Sequence, residues 1–560
     1  MQRTYQYEVF PFRPSPEQRT GQVMRHPVIV VGAGPVGLTA ANDLVRQGIP
    51  VVLLDEDDKV SLGSRAICFA KRSLEIFDRL GCVEPMRRKG ITWNVGRVFF
   101  RDQEVYRFNL LPEEGHAHPA FINLQQYYLE EYLIQPLRDH PLADLRWRNR
   151  LVGLEPGEDH VHLTVETPEG VYETEAEWLI AADGASSTTR KLLGLDYEGR
   201  LFQEKFLITD VVMKTADFPT ERWFWFDPPF NPGYSALLHR QADNVWRIDM
   251  QLGRDADVEL EQRPERVLPR IRAMLGDDID FELEWISIYS FHSRRMERFL
   301  HGRVLFVGDA AHIVSPFGAR GANSGIQDVD NLIWKLKLVM EGKAGPELLE
   351  SFNFERTRAA AENAFHTETS TEFISPDTPG QLALRNAVLE LAREHEFARP
   401  LINSGRLSTA TVVPDSPLNT PDRDPFTGGP ILGGPATDAP LTQAGEPTFL
   451  LKQLGYTFNG ILFVERPEDI PEAMLADLQE LAAQEVPIRT RIVAAQPPAQ
   501  AELQGIPLFH DVAGLAWERY AAQPGAFYLT RPDQVVCARW QRFQRNLVEQ
   551  ARDRAACLVR

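Results

Sequence analysis

Cysteine is scarce in this sequence: among 560 residues, the cysteines are Cys68, Cys82, Cys537 and Cys557. None of them forms a C-x-x-C pair, so we predict neither a disulfide framework nor a metal site, and we interpret them as packing residues in a reducing compartment. The sequence also has no apolar run of the roughly 18 residues that a membrane-spanning helix needs. The first 25 residues lack the apolar core of a signal peptide. We therefore expect a cytoplasmic protein without a membrane partner.

Positively charged residues are also fewer than negatively charged ones. The sequence has 60 Lys and Arg residues and 79 Asp and Glu residues, which gives a formal net charge of −19. This acidic balance repels the phosphate backbone of nucleic acids, and no stretch dense in Lys or Arg provides a local exception. Nucleic acid is therefore excluded as a partner. The 43% hydrophobic and 25% charged residues are typical of globular proteins, and the length predicts several domains.

The first ordered unit is expected to start near His26, leaving residues 1–25 as a polar extension without an evident role. Residues 28–31 form a wholly apolar run that ends in glycine, which is typical of a strand buried on both faces. A helix is predicted over 37–46 and a second buried strand over 51–54, which completes a β-α-β unit. Further helices are predicted over 65–81 and 125–138.

The pattern changes between residues 200 and 284, where aromatic and β-branched residues partly alternate with polar ones. This pattern predicts antiparallel strands over 223–226, 234–239, 244–252 and 282–289. An apolar strand over 303–307 and a helix over 325–340 then resume the first pattern. Residues 414–447 are rich in proline and glycine, and predict an extended connector without regular elements. Strands and helices alternate again beyond it, which indicates a separate α/β module.

A glycine-rich segment, Gly-Ala-Gly-Pro-Val-Gly over 32–37, follows the first strand. Its first glycine allows a tight turn, its second lets the backbone approach a pyrophosphate, and its third lets helix and strand pack closely. Asp55 ends the second strand, where a carboxylate can accept from both ribose hydroxyls, so the site favours FAD or NAD over NADP. The predicted cofactor-binding residues of this segment are Gly32, Gly34, Pro35, Val36, Gly37, Asp55 and Glu56.

Two further motifs place an aspartate after a predicted strand. The sequence Leu-Ile-Ala-Ala-Asp-Gly over 179–184 brings Asp183 to a turn, although Asp-Gly alone is a common turn. The sequence Val-Gly-Asp-Ala-Ala-His over 307–312 brings Asp309 to the end of a strand, and a glycine-rich loop over 316–325 then leads into a helix. Such loops present backbone amides to a flat or anionic group. Cofactor binding is predicted here for Gly308, Asp309, Pro316, Gly318, Gly321, Ala322 and Asn323.

In this order and at these spacings, the three motifs resemble those of the single-component FAD-dependent aromatic hydroxylases, the para-hydroxybenzoate hydroxylase class. The resemblance covers about residues 27–373, and the sequence over 317–325 with the long carboxy-terminal extension is closer to phenol hydroxylase and meta-hydroxyphenylpropionate hydroxylase. It implies a Rossmann-like FAD-binding domain interleaved with an antiparallel-sheet substrate domain, plus a carboxy-terminal thioredoxin-like domain. The tail has no C-x-x-C pair, so we expect a packing or assembly role for it rather than disulfide exchange.

The resemblance divides the chain into an extension 1–25, an FAD-binding domain over 26–199 and 291–413, a substrate domain over 200–290, a connector 414–447 and a thioredoxin-like domain 448–560. It places Arg65, within Gly-Ser-Arg-Ala over 63–66, near the cofactor and the path of the nicotinamide. It places Gln126 against the flavin, with the adjacent Gln125 as an alternative, and Asp183 close to both FAD and the pyridine nucleotide. Residues 316–323 would lie along the isoalloxazine.

The activity that the resemblance implies is hydroxylation of a phenolic ring. NAD(P)H reduces a tightly but non-covalently bound FAD, O2 adds at the flavin C4a position to give a hydroperoxide, and one oxygen passes to a ring carbon. Only one dinucleotide fingerprint is present, so NAD(P)H is expected as a transient reductant. Candidate catalytic residues are Pro316, whose loop dipole would stabilise the departing alkoxide, and His239, Tyr234 and Gln251 near the phenol.

Several alternatives stay open at this point. A Baeyer–Villiger or epoxidising monooxygenase on a polycyclic substrate would use the same fold, and a flavin-binding sensor would bind FAD without turnover. Arg247 suits a substrate carboxylate and a solvated strand face equally well. The ring position, the choice between NADH and NADPH, and the phenol-deprotonating group are not fixed by the sequence, and a homodimer is plausible by resemblance.

Overall fold

The computed structural model describes residues 4–63, 65–215, 218–402 and 407–558. Ser64, which is part of the predicted arginine loop, lies outside the described residues. The elements before residue 198 are α1 (Pro16–Thr20), β1 (Arg25–Val31), α2 (Pro35–Arg46), β2 (Val51–Asp55), β3 (Cys68–Ala70), α3 (Lys71–Leu80), α4 (Val83–Lys89), β4 (Ile91–Trp93), β5 (Val95–Phe100), β6 (Gln103–Asn109), β7 (Phe121–Asn123), α5 (Gln126–Ile134), β8 (Ala143–Trp147), β9 (Arg150–Pro156), β10 (Val161–Thr167), β11 (Gly170–Ala181) and α6 (Thr188–Leu192).

The middle part of the chain and the carboxy-terminal part continue this series. The middle elements are β12 (Glu198–Met213), β13 (Arg222–Phe226), β14 (Ser235–Arg240), β15 (Val245–Leu252), α7 (Val258–Glu261), α8 (Pro264–Leu275), β16 (Phe281–Arg295), β17 (Leu300–His301), β18 (Val304–Phe306), β19 (His312–Ile313), α9 (Gly321–Met340), α10 (Glu347–Ile374), α11 (Pro379–Glu394) and α12 (Arg399–Ile402). The last elements are β20 (Pro440–Gln443), β21 (Glu446–Phe449), β22 (Phe458–Val464), α13 (Glu472–Ala483), β23 (Ile488–Ala494), β24 (Glu502–Leu503), β25 (Ile506–His510), α14 (Leu515–Arg519), β26 (Phe527–Thr530), β27 (Val536–Trp540) and α15 (Arg545–Ala556).

The first sheet has the core order β17-β18-β11-β1-β2-β8, in which β1 runs parallel to both β2 and β11, and β11 runs parallel to β18. Its central strands β1 and β2 are almost wholly buried; α2 packs on them, and α5 and α9 pack on α2. The carboxyl ends of β1, β2, β11 and β18 lie at one edge. The three sequence motifs therefore meet in space, since each follows the end of one of these strands.

A second sheet, mainly antiparallel, has the order β19-β16-β12-β15-β14-β13-β5-β6. It confirms the predicted strand-rich insertion. It also contains β5 and β6, which lie more than 90 residues earlier than the predicted start of this domain at residue 200; β13 pairs with β5 in parallel. The division at residue 200 is corrected in this respect, because a strand's partner is set by long-range contacts rather than by its own sequence.

The amino-terminal segment is also ordered earlier than predicted. Helix α1 has a capping box at Ser15, and β1 starts at Arg25. Phe10 is buried and stacks on Trp147 with ring centroids 4.3 Å apart. Tyr5 packs against Tyr127 at 4.2 Å. Residues 4–25 are therefore part of the folded body, and the expectation that order starts near His26 is wrong.

The helix predicted over 65–81 is shorter in the structure, because β3 occupies Cys68–Ala70 and α3 begins only at Lys71. Strand β3 pairs with β7, so three residues of the predicted helix belong to a small separate sheet. In the part of the chain that the structure describes, no helix is long and apolar enough to cross a membrane.

The carboxy-terminal part forms a third sheet, of order β21-β20-β25-β23-β22-β26-β27. Strands β20 and β21 fall at the end of the stretch that was predicted to have no regular elements. This part is joined to the body through a buried ion network: Arg531 donates to Glu355 at 2.6 Å, and Lys335 donates to Glu355 at 2.8 Å. Burial would raise the pKa of Glu355, but these two cations outweigh it and hold the pKa low. That the domain is thioredoxin-like stays a prediction.

Candidate active site

A cavity of about 660 Å³ lies between the carboxyl edge of the parallel sheet and one face of the antiparallel sheet. Residues from all three sequence motifs line it. The sequence-predicted residues at its wall are Gly32, Gly34, Pro35, Val36, Asp55, Glu56, Arg65, Gln126, Asp183, His239, Asp309, Pro316, Gly321, Ala322 and Asn323. The cavity thus joins the predicted cofactor residues to side chains of the predicted substrate domain.

The three glycines of the first motif differ in their surroundings. A Cβ on Gly32 would lie 2.5 Å from the carbonyl oxygen of Ala182, and one on Gly37 would overlap the carbonyl oxygen of Gly32. Gly34 has no protein atom within 4 Å of a Cβ position. It is also the N-cap of α2, where no side chain caps the helix, so free N–H groups face this open space. These features fit the pyrophosphate of a dinucleotide.

Asp55 lies beside this turn at the end of β2. Its Oδ2 accepts from the backbone N–H of Ala33 (2.5 Å) and its Oδ1 from that of Asp57 (2.8 Å). Burial raises the pKa of Asp55 to about 6, although both amide contacts oppose this shift. Each carboxylate oxygen keeps a second acceptor position, which suits the two hydroxyls of an adenosine ribose.

The two later aspartates lie at the same sheet edge. Asp183 accepts from the backbone N–H of Thr189 through Oδ2 (2.8 Å), while its buried Oδ1 has no partner among the described residues. Asp309 follows β18 on a short 3-10 turn, and its exposed side chain lines the cavity. Burial raises the pKa of Asp309, and the nearby His312 and Arg65 partly oppose this. Both carboxylates have acceptor capacity for a polar ligand.

A buried, hydrogen-bonded triad of His312, Asp328 and Arg356 stabilises the loop that carries Asp309. His312 Nε2 lies 2.7 Å from Asp328 Oδ2, and Arg356 donates to Asp328 Oδ1 at 2.6 Å. Burial would raise the pKa of Asp328, but the contacts with His312 and Arg356 lower it to about 2. Two of the predicted glycines are positions where the backbone requires glycine. Gly308 has φ +59° and packs next to Val36, and Gly318 has φ +97°. Neither lines the cavity, and the same holds for Gly37.

The structure resolves the choice between the two adjacent glutamines. Gln126 lines the cavity, and its Oε1 accepts from the backbone N–H of Ala66 at 2.9 Å, whereas Gln125 donates to the carbonyl oxygen of Ala242 away from the cavity. Glu130 supports Gln126, accepting from its Nε2 at 2.8 Å. Burial raises the pKa of Glu130 to about 7. These bonds hold the loop that carries Arg65 against the cavity.

On the side of the antiparallel sheet, the cavity meets a set of polar side chains that point from one face of the sheet. They are Arg222, His239, Arg247 and Asp249. Arg247 forms a bidentate salt bridge with Asp210, in which both N–O distances are 2.8 Å. The solvated strand face considered for Arg247 is therefore wrong, since the side chain is buried. Arg222 and Asp249 were not predicted; charged residues spaced two apart in an otherwise apolar strand are the signal that would have found Asp249.

His239 lines the cavity, but the other two substrate-domain candidates do not. Tyr234 precedes β14, is 37% exposed and does not line the cavity. Gln251 is turned to the backbone, where its Oε1 accepts from the N–H of Ser235 at 3.1 Å, and it also does not line the cavity. The structure therefore places both outside the cavity: Tyr234 lies before its strand begins, and Gln251 lies on the same strand face as Asp249 but beyond the cavity wall. Their catalytic role stays a prediction.

Comparison with known proteins identifies the family of this chain. The family model described as FAD binding domain matches residues 25–366. Para-nitrophenol 4-monooxygenase of Pseudomonas sp. (strain WBC-3) is 27% identical over 350 residues, which is 61% of this chain and 85% of that protein. The 12-dehydrotetracycline 5-monooxygenase/anhydrotetracycline 6-monooxygenase of Streptomyces rimosus subsp. rimosus is 31% identical over 433 residues, 71% of this chain and 82% of that protein.

Among solved structures, the flavin-dependent monooxygenase PieE in complex with FAD and substrate superposes with a TM-score of 0.77. It covers 95% of this chain and 98% of that chain at 23% identity, so it shows a shared fold. The family match and these relatives confirm the predicted resemblance to FAD-dependent monooxygenases.

Proposed function

Because this chain belongs to the FAD binding domain family, we propose that it is an FAD-dependent monooxygenase that hydroxylates a phenolic ring at the expense of NAD(P)H and O2. One observation carries the proposal. A single cavity joins the glycine-rich edge of the parallel sheet to an enclosed polar face of the antiparallel sheet. A cofactor held at the first can therefore reach an aromatic compound held at the second.

The residues present fit FAD. Open space at Gly34 and the uncapped start of α2 suit the pyrophosphate, and Asp55 suits the adenosine ribose. Asp309, open to the cavity, would accept from the ribityl chain or lie near the pyrophosphate, with residues 316–323 along the ring system. Arg65 and Asp183 would lie where the pyridine nucleotide arrives. When bound, the flavin supplies the acceptance of hydride from NAD(P)H and the activation of O2.

The chain itself has to keep water away from the reacting atoms. Phe206, Phe291 and Phe317 line the cavity and pack on one another, with ring centroids 5.0–5.3 Å apart. This aromatic cluster forms an apolar wall next to Pro316, which also faces the cavity. Exclusion of water protects the activated oxygen and strengthens electrostatic contacts inside the site.

The chain also has to accept the phenolic proton, since a phenolate donates more electron density into the ring. Asp249 suits this step: its Oδ1 has no hydrogen-bond partner among the described residues. Burial raises the pKa of Asp249 to about 6, against the opposing charges of Arg247 and Arg222. A base with a pKa near the working pH transfers protons efficiently. His239 is neutral, because burial and then Arg222 lower its pKa, so it is suited to hydrogen bonding rather than to holding the proton.

The test is to follow NAD(P)H oxidation and product mass with purified holoprotein and a panel of simple phenols, phenylpropanoids and polycyclic phenols. We expect phenol-stimulated oxidation and products that gain one oxygen atom with the ring intact. A lactone or an epoxide would instead establish the Baeyer–Villiger or epoxidising alternative. Bound FAD without stimulated oxidation by any compound would refute the proposal and favour a sensor. That the protein is a homodimer and is cytoplasmic remains a prediction.

A further inference from the structure

Four ionisable side chains stand in a row across adjacent strands of the antiparallel sheet. Asp210 on β12 is opposite Arg247 on β15, and Arg247 is opposite His239 on β14. Trp223 pairs with Leu238, which puts Arg222 on β13 beside His239. The Asp210–Arg247 half of this row is neutralised, because the carboxylate and the guanidinium make two bonds of 2.8 Å.

The other half of the row is not neutralised in this way. Arg222 is only 6% exposed, and its Nη1 donates to Sγ of Cys68 at 3.3 Å. Its Nε has no hydrogen-bond partner among the described residues. Its guanidinium lies 5.8 Å from the ring centre of Trp93 and 5.4 Å from that of Phe224. A thiol and two aromatic faces compensate a buried cation much less than a carboxylate does.

His239 also has hydrogen-bonding groups that none of the described residues satisfies. It is 1% exposed, and neither ring nitrogen has a partner in the part of the chain that the structure describes. A neutral imidazole offers one N–H donor and one acceptor. Leaving such groups unpaired in a protein interior costs free energy that a matching ligand would recover. Since Arg222 and His239 both line the cavity, that ligand enters the cavity itself.

We propose that Arg222 and His239 together hold an ionised oxygen of the substrate, which makes the substrate class an aromatic compound that carries an oxyanion at the antiparallel-sheet side of the cavity. This inference rests on the proposed function, since it names the substrate class of that site. The oxyanion is a phenolate, formed when the hydroxyl proton passes to Asp249 and the electron pair stays on oxygen, or a carboxylate on a side chain. Holding it at Arg222 fixes the orientation in which the ring faces the cofactor.

The experiment compares wild-type holoprotein with Arg222→Met, Arg222→Lys and the control Arg97→Gln. Arg97 lies on the neighbouring strand β5 and pairs with Glu104 and Glu221 outside the cavity. Binding is followed by the change in flavin absorbance during titration with 4-nitrophenol, 3-(3-hydroxyphenyl)propionate, benzoate and 3-methylanisole, an aromatic ether that has no ionisable hydroxyl. Thermal unfolding and FAD content are measured for every variant.

We expect Arg222→Met to weaken binding of the oxyanion probe by at least about 10-fold, the loss of one charge-assisted hydrogen bond, while the affinity for 3-methylanisole changes less than about 2-fold. Arg97→Gln should stay within about 3-fold of wild type. Arg222→Lys keeps the charge but not the planar guanidinium, so it should bind the oxyanion probe more tightly than Arg222→Met and less tightly than wild type. The melting temperature of Arg222→Met should be equal to or above that of wild type, because an apolar side chain replaces a cation without a carboxylate partner. A merely structural arginine would give a lower melting temperature.

The probes separate the two sources of the oxyanion. Arg222-dependent binding of benzoate and 3-(3-hydroxyphenyl)propionate identifies a carboxylate. Arg222-dependent binding of 4-nitrophenol alone, with the yellow absorbance of its ionised form, identifies a phenolate. Equal affinity of wild type and Arg222→Met for every probe overturns the inference, as does an equal loss for the oxyanions and 3-methylanisole. If wild type binds oxyanions through Arg222 but no phenol stimulates NAD(P)H oxidation, the proposed function fails and the binding site stands.

Discussion

Replacing Gly34 by alanine separates cofactor binding from folding. Gly34 has φ −75° and ψ −178°, an extended conformation that alanine adopts freely. No protein atom lies within 4 Å of the added Cβ. The new methyl group would project into the space where we place the pyrophosphate, next to the N–H groups that begin α2. The folded protein therefore tolerates the change, and the cofactor does not.

The expected magnitudes are well separated. A charge-assisted hydrogen bond contributes about 1.5–3 kcal/mol, so losing one such contact to the pyrophosphate weakens FAD binding about 10- to 100-fold. Folding of the apoprotein changes by less than about 1 kcal/mol, because the lower entropy of the unfolded chain with alanine opposes the poorer N-cap. FAD affinity is measured by quenching of flavin fluorescence when FAD is titrated into apoprotein, and folding by thermal unfolding of the same preparation.

Gly455→Ala is the matched control, because Gly455 also has no protein atom within 4 Å of a Cβ position and lies in the carboxy-terminal part, outside the cavity. It should retain wild-type affinity for FAD. An unchanged FAD affinity in Gly34→Ala would refute the placement of the pyrophosphate. A melting temperature of the apoprotein that falls by many degrees would show that the open space at Gly34 is needed for folding instead.

Three further outcomes are expected. Gly37→Ala should lower the melting temperature of the apoprotein by the equivalent of about 1–3 kcal/mol or more, because its Cβ would overlap the carbonyl oxygen of Gly32; an unchanged melting temperature would contradict the close packing. Asp309→Ala should lower the fraction of protein purified with FAD while leaving the apoprotein folded, and full occupancy would remove Asp309 from the cofactor site. Glu17→Gln should destabilise the protein by about 3 kcal/mol above pH 4.5, because His26 and Arg146 outweigh burial and lower the pKa of Glu17 from 4.5 to about 2. Since the pKa is depressed in the folded state, the difference in stability from wild type should shrink as the pH falls toward 2. Acid-unfolding curves of the two proteins measure this difference, and parallel curves would contradict the prediction.

Local sequence was sufficient for the cofactor end of the site. Short apolar runs ending in glycine or aspartate predicted β1, β2, β11 and β18, and parallel pairing then brings their carboxyl ends together. The steric demand at Gly37 is also local, since a Cβ there would overlap the carbonyl oxygen of Gly32 within the same β-α-β unit, whereas the close contact at Gly32 comes from Ala182, 150 positions later. For the same reason, the predicted bounds of α2 and β2 differ from the structure by only a residue or two.

Long-range pairing decided what local sequence did not. Phe10 lies in a leading segment whose sequence gave no sign of order, but it is buried by stacking on Trp147 far along the chain. The segment of β5 and β6 joins the antiparallel sheet only because β13 pairs with β5. The carboxy-terminal part is joined to the body by the buried contact of Arg531 with Glu355, 176 positions earlier in the chain.

The sequence by itself therefore determined the glycine turns, the strand ends and the acidic residues that follow them, since these depend mainly on local backbone conformation. Only the tertiary structure decided the substrate end of the cavity. It brought Arg222 and Asp249 to the wall and left Tyr234 and Gln251 beyond it, with Gln251 hydrogen-bonded to the backbone of Ser235. In a strand, successive side chains point to opposite faces, so which of them meet a ligand depends on the register and on the surface against which the sheet packs.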